Sequence, residues 1–343
     1  MRIDRIITTL ITTLLLCFSG TQAWAQIRIV DEQDGKPIAG AYVFSSSNHL
    51  LCISDANGKI EPQEGMITIS NVAYEPKTID ASKTKGDVML KEKVYALPEV
   101  TASKTDYIKL TGAFRDICRN NDKTILYREG MMDFYINMAT GKIKRRVRAC
   151  RQYERPGLRK IVNFNISILS YARSTDLSHI RYIKRDTISS VKGDTTFYRS
   201  HFRGTSSDKA IMYIDTHQKN LYRHIIDNTQ YSRKPNPLLK TKTHLCDWTF
   251  STPEKETWSS LVSFRNIWNY DYTPLPGKKA IATEEMNDFV VTDVKTLTKE
   301  QAETEMKDKK ETADFTLPDC LPAIPYDVAK ETEGLLKKSF WEM

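Results

Sequence analysis

Residues 31–44 read DEQDGKPIAGAYVF, and this stretch decides the fold of the amino-terminal part of the chain. Ile27-Arg28-Ile29-Val30, just ahead of it, alternates as a strand does. Asp34-Gly35 is a tight-turn dipeptide whose glycine tolerates positive φ. Pro37 fixes φ, Gly40 lets the backbone bend without a side chain, and Ala41-Tyr42-Val43-Phe44 follows as the next strand. The stretch is therefore a corner between two strands. Leu50 to Ser54 is a third apolar run, turned by Asp55-Ala56-Asn57-Gly58; Met66 to Ser70 alternates again, Lys77 to Asp80 is β-compatible, and Asp87 to Leu90 closes the set. Short strands separated by turn signals predict a seven-stranded antiparallel β-sandwich over residues 26–95.

Upstream, Arg2 and Arg5 precede an apolar run from Ile6 to Phe18 and then Ala23-Trp24-Ala25, the pattern of a secretory signal cleaved after Ala25. As a helix the run would rise only about 20 Å, short of the roughly 30 Å hydrocarbon core that a retained anchor would need. Leu16 before Cys17 is too bulky for a lipoprotein signal. The expectation is an exported protein of the periplasm or outer membrane, with signal 1–25, sandwich 26–95, linker 96–104 and a larger unit 105–343. No later stretch is apolar enough to span a bilayer as a helix, so any outer-membrane association is expected to be peripheral.

The 343 residues carry a net charge of +8, and export makes nucleic acid the weakest explanation of that excess. Loss of Cys17 with the signal leaves Cys52, Cys118, Cys150, Cys246 and Cys320, an odd set in which at least one thiol is unpaired within the chain. Bridges Cys118–Cys150 or Cys246–Cys320 are compatible with an oxidising compartment, but spacing alone does not choose. There is no CxxC pair, which argues against a structural zinc or a redox dithiol.

The series DGKPIAGAYV, SDANGKI, ITISNVAYEP and GDVMLKEKVYALPEVTAS resembles the carboxypeptidase-regulatory-like (transthyretin-like) β-sandwich over residues 27–100. The matching positions are Asp34, Gly35, Pro37, Ile38, Gly40, Ala41, Val43, Ser54, Asp55, Asn57, Gly58, Ile69, Ser70 and Tyr74; Ser54, Ile60 and Ala73 depart from the usual threonine, phenylalanine and glycine. The resemblance implies a non-catalytic accessory module, common at the amino termini of exported proteins of Gram-negative bacteria. Such a module often ends in a segment like Leu97-Pro98-Glu99-Val100, which in transporters leads into a plug and barrel. This chain is too short for such a barrel.

Beyond residue 104 the pattern predicts a short helix over Thr105–Asn120 and then mostly strands. Ala139-Thr140-Gly141-Lys142 joins a hairpin, Lys160 to Leu169 alternates strictly, and further strands fall at Thr195–Arg203, Ala210–Asp215, Leu221–Ile226, Ser259–Tyr272 and Asp288–Leu297. Thr298 and Gln301 form a capping box that opens a charged helix to about Lys309, and a last helix is expected over Asp327–Lys338. The fold class is mainly β: a sandwich followed by an antiparallel, half-barrel-like domain with a few helices. Its architecture resembles the lipoprotein-carrier half-barrel, without a shared motif.

Two surfaces are candidates for binding. Lys142, Lys144, Arg146 and Arg148 share one strand face by period two, suiting either an anionic surface or a solvated sheet face. Trp258, Phe264, Trp268 and Tyr270, with Tyr272, fall on even positions and suit a ligand groove or a core row. His224/Asp227 and His244/Asp247 have a helical ligand spacing, but in extended chain their side chains point to opposite faces. No HxxE, HExxH, GxSxG, Walker loop or GxGxxG occurs, so no catalytic, cofactor-binding or metal-binding residue is assigned. The expectation is a non-catalytic exported cell-envelope protein that binds a protein, lipid or glycan partner. The alternatives are a hydrolase with an unrecognised active site and a periplasmic lipid or lipoprotein carrier.

Overall fold

A computed structural model describes residues 27–93, 106–154, 187–192, 195–200, 211–218, 221–227, 229, 238–251, 257–273 and 277–307. The leader, the linker, Lys160–Leu169, Asp327–Lys338 and Cys320 lie outside the described residues.

Asp31 organises the corner read from the opening stretch. One carboxylate oxygen accepts from the backbone N–H of Gln33 (2.7 Å) and Asp34 (3.2 Å), and the other accepts from the Tyr74 hydroxyl (2.9 Å). Gly35 takes φ +66° at the tip, and the Ile38 N–H returns to the Ile29 carbonyl. Ser54 holds the next bend, its Oγ accepting from the Ala41 N–H and donating to the Ile38 carbonyl.

Strands β1 (Ile27–Asp31), β2 (Tyr42–Ser45), β3 (Leu50–Ile53), β4 (Met66–Ser70), β5 (Lys77–Asp80) and β6 (Gly86–Leu90) follow. An antiparallel sheet ordered β3-β2-β4-β5 packs against the pair β1-β6 around Ile29, Ile38, Val43, Ile67, Ile69, Val88 and Leu90. This is the sandwich, with six described strands where seven were expected. Its β1-β6 pair is parallel rather than antiparallel, because the chain returns to β1 only after crossing the other sheet.

The rest forms one ten-stranded antiparallel sheet. Its strands are β7 (Tyr107–Asn120), β8 (Lys123–Asn137), β9 (Ile143–Glu154), β10 (Thr187–Lys192), β11 (Thr195–Ser200), β12 (Ile211–Gln218), β13 (Leu221–Asp227), β14 (Leu239–Phe250), β15 (Leu261–Tyr272) and β16 (Ile281–Leu297). The order is β10-β11-β12-β13-β14-β15-β16-β7-β8-β9, so β10 and β9 end the described sheet and it does not close on itself. Helix α1 (Lys299–Lys307) is capped as its sequence indicates: Gln301 N–H donates to Thr298 Oγ1 and Thr298 N–H donates to Gln301 Oε1.

The helix expected over Thr105–Asn120 is instead β7. Eleven of its fourteen residues are buried, on both faces, and Ala113 and Ile117 interrupt the polar half of the period-two pattern. On one face Ile108, Leu110 and Phe114 join a core with Phe134, Trp248, Phe250, Phe264 and Phe289. On the other, Ile117 joins Tyr127, Leu245, Ile267 and Met286 beneath Tyr42 and Phe44 of the sandwich. We call these the back and front faces.

The run Ala41-Tyr42-Val43-Phe44 now has its reason: Ala41 and Val43 point into the sandwich core while Tyr42 and Phe44 lie on the large sheet. Gly40 beside them takes φ +66°, and a Cβ there would stand 2.6 Å from Ile225 Cδ1 and 3.1 Å from Arg223 Nη1. Gly40→Ala is expected to destabilise the fold by about 1–2 kcal/mol from the left-handed backbone alone, seen as a lower denaturant midpoint.

Candidate functional site

The front face of the large sheet carries one row of ionisable side chains that alternates in sign strand by strand. Asp247 on β14 stands opposite Arg265 on β15, Arg265 opposite Asp288 on β16, Asp288 opposite Arg115 on β7, Arg115 opposite Glu129 on β8, and Glu129 opposite Arg151 on β9. On β13, Arg223 closes the row diagonally onto Asp247, with Nε at 3.0 Å and Nη2 at 2.5 Å from the carboxylate. Arg115 Nη2 and Arg151 Nη2 both lie 2.7 Å from Glu129 oxygens, and Arg265 is bonded to Asp288. Neighbouring strands sit about 4.8 Å apart, so each charge meets an opposite charge on either side and each repulsive contact is a strand further away. Glu129 is fully buried and Arg223 is 2% exposed, whereas the Arg151 side chain is 40% exposed.

The sandwich is seated on this row. The Tyr42 ring lies 5.2 Å from the Arg223 guanidinium and 4.9 Å from that of Arg265. Burial, together with Asp247, raises the Tyr42 phenol well above its ordinary range. Arg223 Nη1 donates to the Gly40 carbonyl at 2.6 Å, so a loop glycine of one module caps the last cation of the other. A second tie runs through Glu284, which is bonded to Arg119 on one oxygen and to His49 Nδ1 at 3.1 Å on the other, while Arg119 Nη2 donates to the Ser47 carbonyl.

The back face holds a second row one step along the strands. Cys246 Sγ donates to Asn266 Oδ1, Asn266 Nδ2 to Asn287 Oδ1 (3.3 Å) and Asn287 Nδ2 to Asp116 Oδ1 (2.9 Å), and Arg128 meets the other Asp116 oxygen at 3.1 Å. The next row places His244, Trp268, Glu285 and Cys118 side by side. The Tyr270 hydroxyl donates to Glu285 at 2.6 Å. Burial pushes the Glu285 carboxyl up to about 7, with Asp116 adding to the rise and the Tyr270 hydroxyl opposing it. Burial also raises the Cys118 thiol well above its usual range, helped by Glu285, and moves Cys52 and Cys150 up to about 11. Such thiols stay protonated near neutral pH and are poor nucleophiles.

Among the basic residues expected on one face, Lys142 falls in the turn before β9 and Lys144 is exposed. Arg148 is bonded to buried Asp133, and Arg146 Nη1 donates to the Glu305 carbonyl of α1. A bulge opposite Met131 and Met132 lets Arg148 and Ala149 both lie toward the front, so strict alternation does not hold there. The bulge fits against Gly130, where a Cβ would stand 1.9 Å from the Ala149 carbonyl oxygen.

Of the aromatic set, Trp258 and Phe264 belong to the back-face core. Trp268 lies against Tyr270 (ring centroids 4.5 Å) and stacks on His244 (5.3 Å), at the polar end of that face. His224 and Asp227 point to opposite faces, as do His244 and Asp247. Cys118 and Cys150 sit on β7 and β9 with β8 between them, about 10 Å apart at the least, which is beyond disulfide reach. Cys52, Cys118, Cys150 and Cys246 are thiols rather than members of a disulfide. No group of three His, Cys, Asp or Glu side chains suited to a metal occurs among the described residues.

Sequence reasoning did not find the two rows, whose members lie far apart along the chain. The available signal was charge inside otherwise apolar strands: Asp116, Glu129, Asp133, Asp247 and Asp288. No protein-family model matches the chain, and no curated protein matches it.

Proposed function

We propose that this is a non-catalytic exported cell-envelope protein in which the sandwich and the large sheet form one platform for a protein, lipid or glycan partner. One observation carries the reading: the buried charged groups of the front row are engaged with each other, and that row also fixes the sandwich through Arg223 and Gly40. A reaction centre leaves charged groups free to face a substrate. A seat for another module uses them to fix orientation. The secretory pattern and the resemblance of residues 27–100 add the export and accessory expectations.

The test is isolation of the mature protein from its native envelope, with mass spectrometry of whatever remains attached. The reading expects an intact protein, lipid or glycan held non-covalently. A processed peptide or sugar product, or turnover of a peptide, ester or glycoside panel, would replace it with the hydrolase alternative. As a further check, Cys118 should resist a thiol reagent in the native protein and react at the rate of denaturation, whereas rapid labelling of the native protein would show a reactive thiol and contradict the buried arrangement.

A further inference from the structure

We infer that the rim of the large sheet formed by the β7–β8 turn, the start of β14 and the approach to β16 is a docking surface for a bilayer carrying anionic phospholipid. The inference rests on the reading of a peripheral envelope protein and gives it a partner and a face.

Three connections distant in sequence meet there. Asn121 and Asp122 make the β7–β8 turn with φ of 46° and 67°, a conformation that these two residue types accept and that delivers Lys123 at its exit. The turn is bonded to the approach to β16: Asn121 N–H donates to the Ala282 carbonyl, and Ala282 N–H to Asn121 Oδ1. Lys278 and Lys279 immediately precede that point and are exposed. In the same sheet row Ala282 stands opposite Asp271, and Asp271 opposite Lys240 at the start of β14. Lys242 is exposed beside them and holds Asp271 at 2.6 Å.

Five lysines therefore share the rim with the carboxylates of Asp122 and Asp271. Lys123, Lys240, Lys278 and Lys279 make no ion pair with the described residues. From β14 to β8 the rim spans four strand spacings, about 19 Å, which suits several headgroups rather than one small anion. Half-buried Tyr272, opposite Leu239 at the same end, supplies the aromatic and apolar side chains that favour a water–lipid boundary. The other basic feature is differently placed. Arg146 and Arg148 are occupied by Glu305 and Asp133, and exposed Lys142 and Lys144 share that end of the sheet with exposed Glu300 and Glu303 of α1.

The test is co-sedimentation of the full mature chain with phosphatidylcholine vesicles, with and without phosphatidylglycerol. Binding is expected only to the anionic vesicles, and about 1 M salt, which shortens the screening length to roughly 3 Å, should release it. The triple variant Lys123→Gln, Lys278→Gln, Lys279→Gln should bind about a hundredfold more weakly. Lys142→Gln with Lys144→Gln should bind like wild type. All five side chains are exposed, so both variants should keep the wild-type unfolding midpoint. Absence of binding to anionic vesicles, binding unchanged in the triple variant, loss in the β9 pair instead, or competition by inorganic phosphate at matched ionic strength would each overturn the inference. A protein or glycan recovered from the envelope together with absent vesicle binding would sink this inference alone and leave the platform reading standing.

Discussion

Arg223→Met is expected to lower folding stability by about 3–5 kcal/mol, because it leaves the Asp247 carboxylate buried without its bidentate partner. The same substitution removes the donor to the Gly40 carbonyl and the cation beneath the Tyr42 ring. Asp247→Leu should cost a similar amount by stranding the guanidinium, which is 2% exposed. The double variant should recover most of the loss, since an apolar pair of similar volume removes both desolvated charges at once. Denaturant unfolding of the four proteins forms a complete cycle. Additive single effects, with no recovery in the double variant, would mean that the two residues do not act as a pair.

The second large effect concerns Glu285. In the folded protein its carboxyl keeps a proton up to about pH 7, against an ordinary value of 4.5. Between those values the folded state binds more protons than the unfolded chain, so stability falls as pH rises, by about 3 kcal/mol across the window. It is fully present below the unfolded value and is lost as pH climbs through the folded one. Glu285→Gln keeps an oxygen for the Tyr270 hydroxyl and cannot ionise. The variant should lose this part of the pH slope and exceed wild type at pH 8 by about 2–3 kcal/mol. Equal slopes in the two proteins between pH 5 and pH 8 would show that Glu285 is not the titrating group.

What could be read from the sequence follows from the range over which each signal acts. Turns are local, so Asp34-Gly35, Asn57-Gly58 and the hairpin at Ala139–Lys142 were legible, as was the Thr298/Gln301 capping box. The mainly β class followed from the same punctuation. β7 was misread because the sandwich covers its front while the core covers its back, leaving no exposed alternate positions to set the period. The parallel β1-β6 pair depends on where the chain returns after some fifty residues, which no local pattern encodes. The charge row is the extreme case. Asp288 and Arg115 are direct neighbours on adjacent strands yet lie in different quarters of the chain, so each looks alone in sequence and only strand order makes them a pair. The bulge beside Gly130 is also invisible to period-two reasoning, and it explains how Arg148 reaches Asp133.

The same row explains how the opening stretch is used twice. Gly40 must be glycine for its own backbone and for the space that Ile225 and Arg223 occupy. Tyr42 must be aromatic enough to cover two guanidinium groups and apolar enough to fill the contact with Ile117 and Ile267. An accessory module held by loose surface contacts would need neither.

The most direct measurement is native-state hydrogen exchange of the full chain, followed by mass spectrometry over increasing denaturant. If the sandwich is seated on the charge row, amides of Tyr42–Ser45 and of Leu239–Phe250 will open in one step with the same denaturant dependence, and Arg223→Met will weaken both together. Opening of Tyr42–Ser45 at a lower free energy, unchanged by Arg223→Met, would show two independent modules and contradict the account.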